Sequence, residues 1–569
     1  MSAVPSSRWD SEVRLLAWLA VCVSVFSFLF YFRRGDVLLY GDAVAHINIA
    51  RRVFDSKTPG LLQLGTVWLP LPHLLMIPFL ISNEMWIRGV GGSIPSMVAY
   101  VLGVVGIFRL MRGVLSRGAE LDAAARIAAW TAAVVYGANP NLIYMQTTAM
   151  GEAVYLAFFI WAVVFFSEFV SGDGKALTKC GWCIAAAGLT RYDGWFLAAG
   201  MVVGVVVVNS PPFDRLRAGF LAKDARNGAP GFLGRASRVA FVKFVLLAAA
   251  APLLWLAYNS VIYRNPLEFA NGPYSARAIE QKTGTINPAK GNLYAASMYF
   301  LKSAEENLAE HEWLQRLWVL LAIAGAVAFT AGNSHPRKER EDGAPAFSVA
   351  RLMWSLFFLW VPLPFYALSV AYGSVPIFVP AWWPFSQYNL RYGLELLPAF
   401  AASLAVLVHV ALRSDLGRVV WRRAAVSALA FVVIASYATV WTAQPICYRE
   451  AAINAKGRMI LEKQVANWLK ALPPDATLLM YLGAHPAAVE QASIPLRRVI
   501  NEGNHRVWMQ PSDPEGLWER ALANPPAFAD YAVAFEGDPV WQSVQGRHWK
   551  ELVEVKTTGE PRTIVYQRR

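Results

Sequence analysis

Charged residues are scarce in this chain, and cysteine is scarcer still. Only 16% of its 569 residues are charged, whereas 56% are hydrophobic. Soluble domains usually carry about a quarter charged residues, so this shortage argues against a soluble enzyme and predicts an integral membrane protein. The four cysteines provide no disulfide framework. Cys180 and Cys183 lack the second pair of ligands that a zinc site needs, so we interpret them as helix packing residues.

The net charge of +13 is the one global feature that would suit a nucleic-acid partner. However, the arginines and lysines cluster in short segments between apolar stretches, which is the pattern of membrane orientation signals. We therefore interpret them as cytoplasmic loops and expect no nucleic acid among the partners. Four such basic loops lie around residues 109–126, 215–243, 337–351 and 413–423.

Long uncharged stretches alternate with these basic loops. Leu15–Phe32 has about the length of 20 residues that crosses a bilayer, and we interpret it as an uncleaved anchor. The other candidate spans are Gly91–Phe108, Ile127–Gly151, Ala153–Ser167, Phe244–Tyr263, Leu317–Pro336, Leu352–Leu390, Leu396–Leu412 and Ala424–Tyr448.

Two further stretches are ambiguous. Thr58–Asn83 is uncharged but contains four prolines, which suits an interfacial or re-entrant segment. Cys180–Ser210 is interrupted by charged residues, so it is either one long helix or a hairpin of two. All four basic loops fall on one side only if the first stretch does not cross and the second crosses twice. We therefore predict an α-helical polytopic protein of the cytoplasmic (inner) membrane, with about eleven transmembrane helices and a cytoplasmic N-terminus.

The tail changes character and predicts a second domain. We expect a transmembrane domain over residues 1–448, with its first outer loop at residues 34–94, and a small extracytoplasmic α/β domain over residues 449–569. The tail pattern is helical over Ala451–Leu472 and strand-like over Thr477–Leu482, Tyr531–Phe535, Leu552–Val555 and Thr563–Tyr566. Because it shows no catalytic cluster, we expect a scaffolding or acceptor-holding role.

The first outer loop contains the most informative motif, YGDAVAHINIARRVFD from Tyr40 to Asp55. Its spacing predicts an amphipathic helix over Asp42–Asp55, with His46 one turn after Asp42. An acid in this place is a candidate catalytic base; the alternative is that Asp42 only caps the helix. The side chains of Asp42 and His46 lie between the apolar and polar faces of this helix, where a cleft can form.

Three polar groups interrupt apolar surroundings at other predicted outer span ends. Glu152 has apolar residues on both sides, and an acid at such depth is costly and usually functional. Arg191-Tyr192-Asp193 and Arg391-Tyr392 supply arginines that suit a phosphate near the headgroup layer. The alternative for these arginines is an interfacial anchor that contacts ordinary lipid headgroups.

In this arrangement the chain resembles the C-type (GT-C) membrane glycosyltransferases. These include bacterial relatives of protein O-mannosyltransferases, the aminoarabinose transferases of lipid A, and the larger oligosaccharyltransferases. The resemblance covers roughly residues 15–445 and rests on the order and position of its motifs. They are Gly41-Asp-Ala-Val-Ala-His46, Asn139-Pro-Asn-Leu-Ile-Tyr-Met-Gln146 with Glu152, Leu189-Thr-Arg-Tyr-Asp-Gly-Trp195 and Asn389-Leu-Arg-Tyr-Gly393.

The resemblance implies that an acceptor hydroxyl attacks a sugar carried by a polyprenyl phosphate. Asp42 would be the general base, and Arg391 with Arg191 would stabilise the departing lipid phosphate. The other residues that the resemblance implies in substrate binding are His46, Glu152, Tyr192, Asp193 and Tyr392.

Two departures from the family pattern leave questions open. Many relatives carry two adjacent acids on the first loop, whereas Ala43 follows Asp42 here. Asp42, His46 and Glu152 are therefore a thin set of ligands for a divalent metal ion, and metal dependence stays open. The WWDYG-type motif of oligosaccharyltransferases is absent, which favours a single-sugar donor. The acceptor can be a glycan, a lipid or a protein.

Two alternative functions remain. A lipid-linked glycan ligase or polymerase would differ mainly in its donor. A multi-span transporter should show interrupted helices in two related halves, with polar groups near the membrane midplane. The polar groups of this chain gather instead at predicted outer ends of spans, and no repeated halves are evident.

Overall fold

The computed structural model describes residues 10–116, 122–209, 238–331, 354–413, 419–505, 513–546 and 549–569. In these residues helices dominate as far as Leu469, and a five-stranded sheet follows. The basic residues predicted at 215–235 and 337–351, together with Arg117 and Arg418, lie outside the described residues.

Seven helical segments of the described residues are long and apolar enough to cross a membrane, as the composition predicts. These are Ser11–Arg34, Val90–Leu115, Glu152–Val170, Arg238–Ile262, Ser355–Tyr372, Leu390–Arg413 and Val419–Leu469. Apolar helices of this length have their backbone hydrogen bonds satisfied internally, which a bilayer requires. The chain is therefore a multi-pass membrane protein, and the total of eleven spans stays a prediction.

The predicted hairpin within Cys180–Ser210 is present as two packed helices, Ala176–Gly188 and Asp193–Asn209. Glycine is required at position 194, because a Cβ there would lie 2.6 Å from the carbonyl carbon of Ala187. The close approach turns the chain sharply, and the Arg191–Asp193 motif occupies the turn.

The structure also explains why Thr58–Asn83 does not read as a regular span. Its longest helix, Leu71–Leu80, has ten residues, so at about 1.5 Å per residue it covers about half of a bilayer core. A short 3₁₀ helix, Leu61–Leu64, precedes it. The Leu71–Leu80 helix is therefore too short to cross the bilayer by itself.

Two predicted spans are not continuous helices. In Ile127–Gly151 one helix ends at Gly137, and another, Pro140–Met145, begins after Asn139, whose side chain accepts hydrogen bonds from the two backbone N–H groups of Asn141 and Leu142. In Leu352–Leu390 the helical part ends at Tyr372. Neutral polar side chains and prolines break these stretches, and a criterion based on charge alone does not detect them.

The remaining helices lie between the long segments, in the tail, or within those segments. The Asp42 helix, as we name Gly41–Arg52, follows the first span. The segment Val419–Leu469 consists of two helices, Val419–Ala443 and the linker helix, Ile446–Leu469, which leads into the tail. The α-helical parts of two other long segments are Pro362–Tyr372 and Leu397–Arg413. The others are Asn83–Ile87, Ala123–Gly137, Glu268–Asn271, Ala276–Thr283, Leu293–Glu306, Glu312–Ala331, Ala487–Gln491, Leu517–Ala523, Pro525–Phe528 and Pro539–Val544.

The tail contains one sheet with strand order β2-β1-β3-β5-β4. Its strands are β1 (Leu478–Met480), β2 (Val499–Ile500), β3 (Tyr531–Phe535), β4 (Trp549–Val555) and β5 (Thr563–Arg568). β1 pairs in parallel with β2 and β3, whereas β5 pairs antiparallel with β3 and β4. The four predicted strands are confirmed, and the two-residue strand β2 was not predicted. The division of the chain into two domains at residue 448 stays a prediction, since the linker helix crosses that point.

Candidate active site

Two arginines and five carboxyl groups meet where the loop after the first span, the hairpin turn and the linker helix come together. We call this group the acid–arginine cluster. Its members are Asp42, Glu152, Arg191, Asp193, Arg391, Glu395 and Glu450.

Arg391 lies at the centre of one half of the cluster and contacts three carboxylates. Its Nη2 donates to Asp42 Oδ2 at 2.7 Å, and its Nε donates to Glu152 Oε1 at 3.1 Å. Its Nη1 donates to Glu450 Oε1 at 3.2 Å. The other carboxylate oxygen of Glu450 accepts from the backbone N–H of Leu390 at 2.7 Å, which fixes the chain next to the arginine. A planar guanidinium is the side chain that can serve three acceptors at once.

Arg191 lies at the centre of the other half. Its Nη1 donates to the same Glu152 oxygen at 3.2 Å, so one carboxylate joins the two arginines. Its Nε lies 3.4 Å from Asp193 Oδ2 and 3.2 Å from Glu395 Oε1. Its Nη2 is 2.5 Å from the hydroxyl oxygen of Tyr366. The hairpin turn therefore presents Arg191 to the first residue of the Glu152–Val170 helix.

Aromatic rings line the two guanidinium groups. The ring of Tyr392 lies 4.9 Å from the guanidinium carbon of Arg191 and 5.1 Å from that of Arg391. Tyr40 lies 5.1 Å from the latter. The faces of aromatic rings attract cations, so these contacts help to hold the two guanidinium groups in a fixed orientation.

Asp42 is the accessible acid of the cluster. Its side chain is 39% exposed, whereas the other four acids are at most 2% exposed. The capping interpretation is wrong, because Tyr40 occupies the N-cap position and no side-chain capping bond is present. The carboxylate of Asp42 is instead directed to Arg391. The helix itself begins at Gly41 and ends at Arg52, close to the prediction.

The cluster contains more acids than arginines. Five carboxyl groups face two guanidinium groups, so full ionisation would leave three negative charges uncompensated. Burying uncompensated charge is costly. Of the five acids, Asp42 is the one that solvent reaches, so water as well as Arg391 can stabilise charge on its carboxylate.

His46 lies near the cluster but does not join it. Its Nδ1 is 2.7 Å from His73 Nε2, and its ring packs on Trp68 with centroids 4.6 Å apart. Burial, reinforced by the positive charges of Arg391 and Arg191, lowers the pKa of His46 to about 3. The imidazole is therefore neutral at physiological pH and adds no positive charge for a phosphate.

Tyr192 also points away from the cluster. Its hydroxyl donates to the carbonyl of Val67 at 2.9 Å and accepts from Trp255 Nε1 at 3.2 Å. Its ring stacks on Phe269 with centroids 5.0 Å apart. Tyr192 thus joins the hairpin turn to Val67, Trp255 and Phe269, while its neighbours Arg191 and Asp193 enter the cluster.

The predicted metal ligands are not brought together. The guanidinium of Arg391 contacts both Asp42 and Glu152, and His46 contacts His73 instead. Among the described residues, no group of three or more histidines, cysteines or acids is arranged to hold a metal ion.

Several members of this site were not predicted from the sequence. Glu450 lies two residues after the last apolar stretch, Ala424–Tyr448, and Glu395 directly precedes the stretch that begins at Leu396. Both are acids close to the end of an uncharged run, which resembles the signal that identified Glu152. Tyr366 and Tyr40 carry no such signal, because tyrosines are common at membrane interfaces.

The architecture is that of known membrane glycosyltransferase structures. No family model matches the chain, and no curated protein matches its sequence. ArnT from Cupriavidus metallidurans is similar in its apo state, with TM-score 0.55 and 12% identity, and when bound to undecaprenyl phosphate, with TM-score 0.52 and 13% identity. Each match covers 98% of both chains. The Archaeoglobus fulgidus oligosaccharyltransferase in the apo form matches with TM-score 0.46 and 13% identity, over 99% of this chain and 75% of its own. The chain therefore has the GT-C fold.

Proposed function

We propose that this protein is a glycosyltransferase that moves a single sugar from a polyprenyl-phosphate carrier to an acceptor hydroxyl. The observation that carries this proposal is an accessible carboxylate, Asp42, held against Arg391 in an otherwise buried charged cluster. Asp42 can take a proton and Arg391 can bind a phosphate, and the two side chains are 2.7 Å apart. The fold is consistent with this function, and one similar structure, that of ArnT, is a complex with undecaprenyl phosphate.

Asp42 is the general base in this proposal. The acceptor hydroxyl gives its proton to the Asp42 carboxylate as its oxygen forms a bond to the sugar carbon. The bond between that carbon and the phosphate oxygen breaks, and the electron pair leaves with the polyprenyl phosphate. The contact with Arg391 holds the carboxylate in place, and its exposure allows an acceptor to approach.

The arginines serve the leaving group. Each terminal nitrogen of Arg391 carries two hydrogens, and each makes one carboxylate contact. The second hydrogens can therefore donate to a phosphate while the buried contacts persist. Hydrogen-bond donors that are already oriented by Glu152 and Glu450 need little rearrangement as negative charge develops on the phosphate.

The membrane location follows from the donor. A polyprenyl tail stays in the bilayer while its phosphate reaches a cluster at the ends of the helices. We propose that the cluster and the C-terminal domain face outward from the cytoplasmic membrane, as the arginine-rich loops predict. The acceptor is a hydroxyl of a glycan, a lipid or a protein. Tyr392 packs against both arginines and would contribute to the wall of the donor site.

Purified protein in proteoliposomes tests the proposal. We expect radiolabelled sugar to move from undecaprenyl monophosphate to acceptors in an added cell-envelope extract, and mass spectrometry identifies the product. An undecaprenyl-diphosphate oligosaccharide is the parallel donor, and consumption of that donor alone would favour a ligase or polymerase. Folded protein that uses neither donor, over a panel of hexoses and pentoses, contradicts the proposal.

A further inference from the structure

The Asp42 helix is held by residues of the tail that are more than 400 positions away in sequence. Asn48 Nδ2 donates to Glu490 Oε2 at 2.7 Å, and both side chains are buried. Asn48 also accepts from Trp86 Nε1 at 3.3 Å, so its amide is engaged on both sides. Glu490 belongs to the short tail helix Ala487–Gln491. This contact joins the middle of the Asp42 helix to the C-terminal domain.

The end of the Asp42 helix contacts the same domain. Arg52 Nη1 donates to Glu502 Oε1 at 3.1 Å, and Asp55 Oδ1 accepts from the backbone N–H of Arg497 at 3.2 Å. Farther along, Asn504 Nδ2 donates to the hydroxyl of Thr58 at 2.8 Å. Glu502 and Asn504 follow strand β2, so the edge of the sheet carries this group of contacts.

The start of the Asp42 helix is fixed by the linker helix. Arg458 Nη2 donates to the carbonyl oxygens of Leu38 and Leu39 at 3.2 and 2.9 Å. The same linker helix carries Glu450, which contacts Arg391. The linker helix therefore positions both partners of the Asp42–Arg391 ion pair.

The Asp42 helix also contacts the end of the Leu71–Leu80 helix and the residues that follow it. Arg51 Nη1 donates to the carbonyl of Leu80 at 2.5 Å, and Arg51 Nη2 lies 2.5 Å from Asn83 Oδ1. The guanidinium of Arg51 lies 4.9 Å from the ring of Trp86, which also donates to Asn48. The helix is thus held by this segment as well as by the C-terminal domain.

We propose that the C-terminal domain positions Asp42 for the reaction through the Asp42 helix, and that Glu490 is a positioning residue. A helix of only 12 residues is marginal by itself, so its place depends on the groups that hold it. A displacement of about 1 Å at a catalytic group can lower a rate by 10²-fold. The part of this proposal that concerns rate rests on the proposed function, whereas the part that concerns structure does not.

The chemistry of Glu490 provides a matched pair of variants. Burial, together with the nearby negative charge of Glu462, raises the pKa of Glu490 to about 8. The carboxyl is therefore mostly protonated at neutral pH and acts as a hydrogen-bond acceptor for Asn48. Glutamine keeps this acceptor and nearly the same shape, so Glu490→Gln should preserve the contact. Glu490→Leu fills the space but removes the acceptor.

Hydrogen–deuterium exchange of the full-length protein tests the structural part. We expect amides of the Asp42 helix to exchange about tenfold faster in Glu490→Leu and at the wild-type rate in Glu490→Gln. Asp530→Ala is the control, because Asp530 contacts Thr477 and Arg568 at the other end of the strands. It should accelerate exchange in the sheet only. If Glu490→Leu does not fold, Asn48→Ala removes the same bond from the helix side.

Steady-state transfer kinetics test the consequence. We expect Glu490→Leu to lower kcat about tenfold with little change in KM for the lipid-linked donor, because Arg391 stays in place. Glu490→Gln should keep wild-type kinetics. Unchanged exchange of the Asp42 helix in both Glu490→Leu and Asn48→Ala overturns the positioning proposal. Faster exchange in a protein whose wild type transfers no sugar refutes the proposed function and leaves the structural inference in place.

Discussion

Asp42→Asn is expected to reduce sugar transfer by about 10² to 10⁴-fold, the usual loss when a general base is removed. Asparagine has nearly the same shape and still accepts a hydrogen bond from Arg391, but it does not take a proton from the acceptor. The expected change is in kcat, while binding of the lipid-linked donor persists. Initial rates with radiolabelled donor in proteoliposomes measure this effect.

The structure indicates that this variant folds. Asp42 is partly exposed, and Arg391 keeps its contacts with Glu152 and Glu450 when the charge is removed. Glu84→Gln is the control, because Glu84 is an exposed acid that pairs only with the nearby Arg88 in the described residues. The control should transfer sugar normally. Near-wild-type turnover of Asp42→Asn would exclude this residue as the base.

Arg391→Ala is expected to impair both stability and donor binding. The substitution removes the arginine partner of the buried Glu450 and leaves the buried Glu152 with Arg191 alone, and breaking a buried ion pair costs about 3–5 kcal/mol. It also removes the donors proposed to bind the phosphate. Thermal unfolding in detergent measures the first effect, and titration with undecaprenyl phosphate measures the second.

A different arginine separates these effects from a general loss of charge. Arg109 pairs with Glu168, which lies in the Glu152–Val170 helix at the end opposite to Glu152. Both side chains of this pair retain some exposure. Arg109→Ala should therefore lose clearly less stability and should bind undecaprenyl phosphate as the wild type does. Arg391→Lys keeps the charge but not the planar fork, so it should bind the carrier more weakly than wild type. Equal carrier binding by all these proteins would contradict the assigned role of Arg391.

Much of the fold was readable from the sequence because the bilayer imposes simple rules. Uncharged runs of sufficient length predicted the long helices. The charges at Arg191–Asp193 marked the interruption, and the requirement that all basic loops lie on one side predicted a hairpin there. Strand β3 was predicted with its observed bounds, since its five residues form a short apolar run that contains aromatic and β-branched side chains. β2 escaped prediction because two residues carry no periodicity.

The failures have an equally physical cause. Ile127–Gly151 contains no charge, yet Asn139, Gln146 and Thr147 are fully buried there, where the helix that ends at Gly137 is followed by the short helix Pro140–Met145. Neutral polar groups satisfy their hydrogen bonds within the protein, so hydropathy alone does not distinguish this segment from a helix that faces lipid. The length rule therefore identified an apolar stretch correctly but not its path.

The site was predicted in its members more fully than in its contacts. Asp42, Glu152, Arg191 and Arg391 were recognised as polar groups in apolar surroundings, and the structure brings them together. That Asp42 pairs with Arg391 could not be predicted, because 349 positions separate them and only the tertiary fold joins them. The contact of His46 with His73 could not be predicted either, and because of this contact His46 lies outside the cluster.

A cryo-electron microscopy structure of the protein with undecaprenyl phosphate is the most direct test of the proposed roles of Arg391 and Asp42. We expect a phosphate oxygen within hydrogen-bond distance, about 3 Å, of an Arg391 nitrogen. We also expect the Asp42 carboxylate to stay exposed, so that an acceptor can reach it. A phosphate bound elsewhere, with the contacts of Asp42, Arg391 and Glu152 unchanged, would contradict both roles.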